Sequence, residues 1–181
     1  MYCDKVRLYH TRFFMFNKIK IDDLNENWVK KIHYEWALIV TNDTDKVNAM
    51  TANWLQMGYL WNKNVVTVYV RPERHTYKTM ENSDVFSVAF FSPEHKKNLM
   101  YLGTASGKDE DKLAKVNYHT TVLDGAPVIE EADLVLTVKK LYQHHLCDEN
   151  YLVDSKTIYP LQDFHLETIG EILGVYVKAA E

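Results

Sequence analysis

Val65-Val66-Thr67-Val68-Tyr69-Val70, followed at once by Arg71-Pro72, is a run of β-branched and aromatic residues closed by a turn former. β-Branched side chains are stiff at χ1 and suit a pleated surface, so the run reads as a strand. Working outward, three similar runs lie close by: Trp36-Ala37-Leu38-Ile39-Val40-Thr41, Val47-Asn48-Ala49-Met50-Thr51-Ala52 and Val85-Phe86-Ser87-Val88-Ala89-Phe90-Phe91. Asn42-Asp43, Asn62-Lys63-Asn64 and Ser92-Pro93 punctuate them as turns. Two later runs complete the set. Asp133 to Leu146 alternates Leu134, Leu136 and Val138 against Thr137 and Lys139, the period of a half-exposed strand. Ile169 to Lys178 is β-rich and interrupted by Gly170 and Gly174, which predict bulges or close backbone approach.

Helices are few and short. Ser92 as N-cap, Pro93 at the first helical position and Glu94 in the first turn predict a helix, with Gly103 as its left-handed terminator. Others are expected from about Asp109 to Val116, from Thr76, and within Ile19 to Lys31. Strands this closely spaced leave no room for the helical crossovers of a parallel sheet. The expected fold is therefore mainly β: an antiparallel barrel of six or so strands, closed or nearly closed because closure removes sticky edges.

At 181 residues the natural reading is one domain, 17–181, preceded by an extension, 1–16, whose structure the sequence does not specify. A formal net charge of −4 offers no general attraction to nucleic acid or to an anionic membrane. Two cysteines, Cys3 and Cys147, cannot make a disulfide framework and fit a reducing compartment. With 46% hydrophobic and 25% charged residues, disorder, collagen-like sequence and coiled coil are excluded. The apolar cluster Phe13-Phe14-Met15-Phe16 is too short for a secretory signal, and no run approaches the roughly 20 residues of a membrane span. The cytoplasm is the expected location.

Four constellations bear on chemistry. Gly103-Thr104-Ala105-Ser106-Gly107-Lys108-Asp109 has the look of a phosphate loop, but its glycines stand one residue too close and Asp109 replaces the required hydroxyl. No Gly-x-Gly-x-x-Gly occurs, so a Rossmann cofactor site is absent. Arg71-Pro72-Glu73-Arg74-His75-Thr76-Tyr77-Lys78 sets two guanidinium groups before a helix start, an arrangement that would attract an anion but that, taken alone, is more often a solvated basic loop. Ser106, Lys108 and Lys112 form a second basic and hydroxyl cluster able to converge on the same anion. Asn48-Ala49-Met50-Thr51-Ala52-Asn53-Trp54 places amides and a hydroxyl in an apolar strand, suited either to a flat, polar-edged heterocycle or to an edge that meets water. His144-His145-Leu146-Cys147 does not make a metal site, because adjacent histidines on a strand face opposite ways. No Ser–His–Asp pattern or nucleophile elbow supports hydrolysis.

These segments, with Leu60-Trp61-Asn62-Lys63, Phe90-Phe91, Tyr101 to Lys112, Glu131 to Leu136 and His165 to Ile172, resemble in order and spacing the flavin reductase-like family of FMN-binding split barrels, especially its flavoredoxin-like branch. The resemblance covers about residues 17–178. It implies a homodimeric, six-stranded, Greek-key split barrel with non-covalent FMN near the subunit interface. Asn48, Ala49, Met50, Thr51, Ala52, Asn53 and Trp54 would then meet the isoalloxazine and ribityl. Arg71, Thr76 and Tyr77 would hold the phosphate with Ser106, Gly107 and Lys108, and Lys112 belongs to the same basic set. His165 would lie near the ring or the entering nicotinamide as the catalytic residue. The chain departs from the family pattern at His75, Asn53 and Lys108, where Tyr, Ser and Arg are frequent, and residues 1–14 precede the usual start. The implied activity is transfer of electrons from NAD(P)H to bound FMN and on to an acceptor such as a redox protein. The alternative is a flavoredoxin-like carrier that does not use nicotinamide. Neither reading involves nucleic acid or membrane.

Overall fold

The computed structural model describes residues 15–44 and 46–179; Cys3 and most of the expected extension lie outside them. Its strands are β1 (Phe16–Ile19), β2 (Ala37–Asp43), β3 (Lys46–Ala52), β4 (Leu55–Leu60), β5 (Lys63–Val70), β6 (Val85–Phe90), β7 (Thr120–Leu123), β8 (Ala126–Ile129), β9 (Leu134–His145) and β10 (Leu166–Lys178). The helices are α1 (Trp28–Lys30), α2 (His75–Asn82), α3 (Lys96–Thr104) and α4 (Lys112–Lys115).

Hydrogen bonding runs in the order β3-β2-β6-β9-β10-β5-β4, with β1 also on β10, and β7-β8 a separate hairpin. Every paired set of strands is antiparallel. The path begins on β3 and ends on β4, consecutive strands joined by Asn53-Trp54 that share no ladder among the described residues. The fold is thus a mainly β split barrel, open along the seam beside that connector. All six runs read from the sequence are strands. The main path has a seventh, β4, whose residues are mostly exposed and so lack the apolar period of a buried strand. β1 starts at Phe16, inside the stretch assigned to the extension, and pairs Phe16 with Lys178.

Burial on both faces explains why the central strands read as continuous apolar runs. In β2, Ala37 and Ile39 join the barrel interior with Val66, Val68, Phe86, Val88, Leu136 and Val138. Leu38 and Val40 face the other way, into a second core with Leu99 and Leu102 of α3 and Val128 and Ile129 of β8. The β7–β8 turn carries positive φ at Asp124 (47°) and Gly125 (81°), the Asp-Gly hairpin signature that the sequence reading passed over. From that turn Asp124 accepts hydrogen bonds from Thr137 Oγ1 (2.7 Å), the Tyr176 hydroxyl (2.8 Å) and Lys18 Nζ (3.2 Å), fastening the hairpin to β9, β10 and β1.

Gly103 does not end a helix. α3 continues through it to Thr104, and Gly103 is absent from the left-handed residues. Its missing side chain matters for packing instead: a Cβ there would lie 3.1 Å from Thr51 Cβ, so glycine lets α3 settle on β3. Ser92 occupies the N-cap position without a side-chain cap, ahead of a single 3-10 turn, Pro93–His95. α4 is shorter than expected because Asp111 caps it, accepting from the Ala114 N–H at 3.1 Å.

Both glycines of β10 act as read. The β9–β10 register shifts between Ile169 and Gly170 and again between Ile172 and Gly174. A Cβ on Gly170 would stand 2.2 Å from Val138 Cγ1 and 3.1 Å from the Lys139 carbonyl, whereas one on Gly58 would meet nothing within 4 Å. Gly170→Ala should therefore lose roughly 1–3 kcal/mol of stability through overpacking. Gly58→Ala should be neutral or gain about 0.5 kcal/mol by restricting the unfolded chain. Urea unfolding of the two variants tests this, and coincident midpoints would contradict it.

Candidate functional site

Two adjoining clefts lie along the open seam. The first is floored by Met50, Thr51 and Ala52 of β3 and walled by Asn53-Trp54, by Tyr69 and Arg71 at the end of β5, and by His165 just before β10. The second runs between Glu73 to Thr76 at the start of α2 and the stretch Leu102 to Gly107, with Lys112 behind. Met50 and Arg74 line both, so the clefts are two ends of one groove.

At the first end His165 is buried, 7% exposed, and its Nδ1 lies 2.7 Å from the Tyr159 hydroxyl. The Trp54 ring leans on the imidazole at 4.9 Å between centroids. Burial, and then the positive charge of Arg71, push the imidazole down to about 4, with Asp163 opposing only in part. Arg71 is ion-paired with Asp163 and lies 5.9 Å from the centre of the Tyr159 ring. The other carboxylate oxygen of Asp163, Oδ1, is buried with no partner among the described residues.

At the second end Asn48, 2% exposed, donates through Nδ2 to Thr76 Oγ1 at 2.7 Å. Its amide oxygen Oδ1 is sealed from solvent and has no hydrogen bond among the described residues. Gly107 passes so close that a Cβ there would stand 2.4 Å from that oxygen. Cations hold the loop beside it. Lys46 Nζ donates to the Gly107 carbonyl at 2.6 Å, and Arg74 Nη1 to the Gly103 carbonyl at 2.9 Å. Lys112 Nζ donates to the carbonyls of Leu102 and Ala105, both at 3.1 Å. Its ammonium is lowered to about 8, first by burial and then by the charge of Arg74. His75, next to Thr76, is 2.7 Å from Asp43 and holds that carboxyl below its ordinary value, against the opposing effect of burial.

The structure thus gathers Asn48, Thr76, Ser106, Gly107 and Lys112 at one end, and Met50, Thr51, Ala52, Asn53, Trp54, Arg71 and His165 at the other. It separates three residues from their expected places. Ala49 turns into the second core. Arg71 stands with Asp163 and His165 rather than with the Ser106 loop, because the end of β5 opens on the first cleft. Tyr77 packs on the barrel interior, its hydroxyl 3.0 Å from His145 Nε2, since one helical residue beyond Thr76 points to another face. Lys108 is exposed on the loop, its main-chain N–H donating to Ser106 Oγ at 3.3 Å. Arg74 was legible only as part of a basic stretch, although its position two residues before Thr76 marks it. Lys46, Tyr159 and Asp163 carried no signal, the last two sitting in an irregular segment without period.

A split barrel with a groove along its seam, amide-lined at one end and cationic at the other, defines the class. The family model described as "Flavin reductase like domain" matches residues 29–180, and the chain belongs to that family. Among solved structures it is similar to flavoredoxin from Methanosarcina acetivorans at 22% identity, covering 90% of this chain and 76% of that one, with a TM-score of 0.66. Flavoredoxin of Desulfovibrio vulgaris (Miyazaki F) is 23% identical over 79% of this chain and 69% of that one, TM-score 0.63. The FMN-binding protein from Thermus thermophilus with bound p-hydroxybenzaldehyde is 20% identical over 87% and 78%, TM-score 0.63. At these identities the likeness is one of fold. No curated protein matches the chain.

The lowered His165 imidazole has a thermodynamic consequence. An unfolded histidine, near 6.5, takes up its proton before the folded one, near 4, so acidification across that window favours the unfolded chain. Stability from this group is whole above about pH 6.5 and is lost progressively toward pH 4. His165→Gln should flatten that part of the stability–pH curve. Parallel curves for variant and wild type would mean that the folded imidazole titrates normally.

Proposed function

We propose that the groove binds FMN non-covalently and that the protein is an NAD(P)H-dependent flavin oxidoreductase, passing electrons from nicotinamide to FMN and on to an acceptor such as a redox protein. The observation that carries this reading is the groove itself, lined by Met50 to Trp54 with His165 at one end and by Arg74, Thr76, Ser106 and Lys112 at the other. Beneath it Asn48 braces Thr76 through Nδ2 at 2.7 Å. The ribityl of FMN is a run of hydroxyls, which the polar groups between the two ends suit. The cations at the second end suit a phosphate, and the apolar and amide edge of β3 suits a flat, polar-edged ring. The residues present fit the cofactor.

On this reading Arg74, Thr76, Ser106, Gly107 and Lys112 hold the phosphate end, with Lys46 bracing the Gly107 loop and exposed Lys108 adding positive field. Arg71, already paired with Asp163, orients the ring end rather than the phosphate. Bound FMN supplies the hydride acceptance and onward electron transfer. The chain's own residues bind, orient and exclude water. Met50 to Trp54 line the ring, and His165 offers it an uncharged hydrogen-bonding nitrogen. A homodimer belongs to the proposal. Trp54 (42% exposed), Tyr59 (70%) and Trp61 (56%), on and flanking β4, are large exposed aromatic rings that a second copy would cover. Cysteine usage supports the cytoplasm; separately, no helix among the described residues is long and apolar enough to cross a membrane.

FMN should bind at least about tenfold more tightly than riboflavin, with Arg74→Ala removing most of that difference, since a hydrogen bond to a charged group contributes about 1.5–3 kcal/mol. Arg71→Ala should weaken FMN and riboflavin alike. A colourless protein whose melting temperature FMN leaves unchanged would sink the proposal.

The likeness to two flavoredoxins favours a second reading, an FMN carrier that does not use nicotinamide. Anaerobic mixing with NADH and with NADPH separates the two. Rapid bleaching of the flavin absorbance by either is expected; persistence of the oxidised spectrum with both assigns the carrier role.

A further inference from the structure

Tyr159 is 1% exposed, and its ring is held by Phe164 at 4.9 Å, Tyr151 at 6.0 Å and Trp54 at 6.3 Å between centroids. A hydroxyl enclosed in this way cannot give its proton to bulk water and must donate within the protein. His165 Nδ1 lies 2.7 Å from it. The Tyr151 hydroxyl also bears on it. Of the acceptors in reach, an imidazole nitrogen is far more basic than a phenol oxygen, so the Tyr159 proton points at Nδ1. A neutral imidazole that accepts at Nδ1 carries its single proton on Nε2.

We infer that Tyr159 is a positioning residue that locks His165 in its Nε2–H tautomer, so that the first cleft meets a neutral N–H donor matched to a ligand carbonyl oxygen. Nε2 has no hydrogen-bond partner among the described residues and is not sealed from solvent, while His165 itself lines the cleft. The surroundings keep the donor uncharged. Burial opposes protonation of the ring, and the charge of Arg71 adds to that, offset only in part by its partner Asp163. A donor without net charge can meet the carbonyl edge of a flavin ring or a carboxamide without drawing in a competing anion. That use rests on the function proposed above; the tautomer itself does not.

The test begins on ligand-free protein labelled with 15N-histidine, observed through two-bond nitrogen–proton correlations at neutral pH. The His165 signals are identified by their loss in His165→Gln. A single form, protonated at Nε2 and unprotonated at Nδ1, is expected. Tyr159→Phe, which keeps the ring and removes the hydroxyl, should convert it to a mixture of both tautomers. A wild-type proton on Nδ1 overturns the inference, as does an unchanged Nε2–H form in Tyr159→Phe. Should that variant fail to fold, the wild-type spectrum alone decides where the proton sits. A second arm uses FMN and NADH as probes. The Gln amide in His165→Gln can set an N–H near the ε position, whereas the shorter Asn in His165→Asn cannot. His165→Gln should stay within about threefold of wild type in FMN affinity and reduction rate, and His165→Asn should fall about tenfold or more. Equal losses in the two would overturn the donor role. Absence of FMN binding in wild type would defeat the proposed function while leaving the tautomer decided by the spectrum.

Discussion

β10 hydrogen-bonds to β9, to β5 and to β1, and it can do so only because it changes register at Gly170 and Gly174. A side chain at either position would collide with a neighbour: Val138 at the first, Asp124 and Tyr176 at the second. The two bulges bend a strand of 13 residues enough to close one side of the barrel and leave the other open at β3 and β4. His165 sits immediately before the first ladder residue, Leu166, which pairs with Val70 on one side and His145 on the other. The register of β10 therefore fixes where the imidazole stands relative to Arg71. The glycine kinks and the candidate site are one mechanical unit.

The groove divides its polar work between two ends that differ in kind. At the Asn48 end several cations hold a backbone-rich loop through its carbonyls, over one unsatisfied amide oxygen. At the His165 end Arg71 is paired with Asp163 inside the protein, its charge offset in part, and the buried rings dominate. Arg74, on both walls, joins them. On the proposed reading, one end takes an anion and the other a neutral, flat group.

Where sequence and structure agree, the reason is burial on both faces. β2, β3, β5, β6 and β9 each carry an apolar run because one face fills the barrel and the other meets helices, the β8 hairpin or the seam. β4 escaped because its exposed residues carry no such pattern. Gly103 misled because a glycine near a helix end has two explanations, and the close approach of Thr51 is invisible without the fold. Within the site, the amide-rich strand and the residues around Thr76 and Ser106 were legible as polar groups where apolar ones would pack better. The pairing of Arg71 with Asp163 and of His165 with Tyr159 was not, because residues 146–165 follow no period and only the closing of β10 brings them to the groove.

The β1–β10 ladder joins residues 16–19 to residues 175–178, almost the whole described length apart. During synthesis the amino-terminal strand waits for its partner until nearly all of the domain has left the ribosome. β5 and β9 each keep one edge open until then, although β4 and β6 pair with their other edges earlier. The edges that β10 takes, on β1, β5 and β9, thus stay unpaired late in translation, a condition in which nascent chains aggregate or engage chaperones. The same long-range closure that positions the groove is the step that comes after the rest of the sheet has formed.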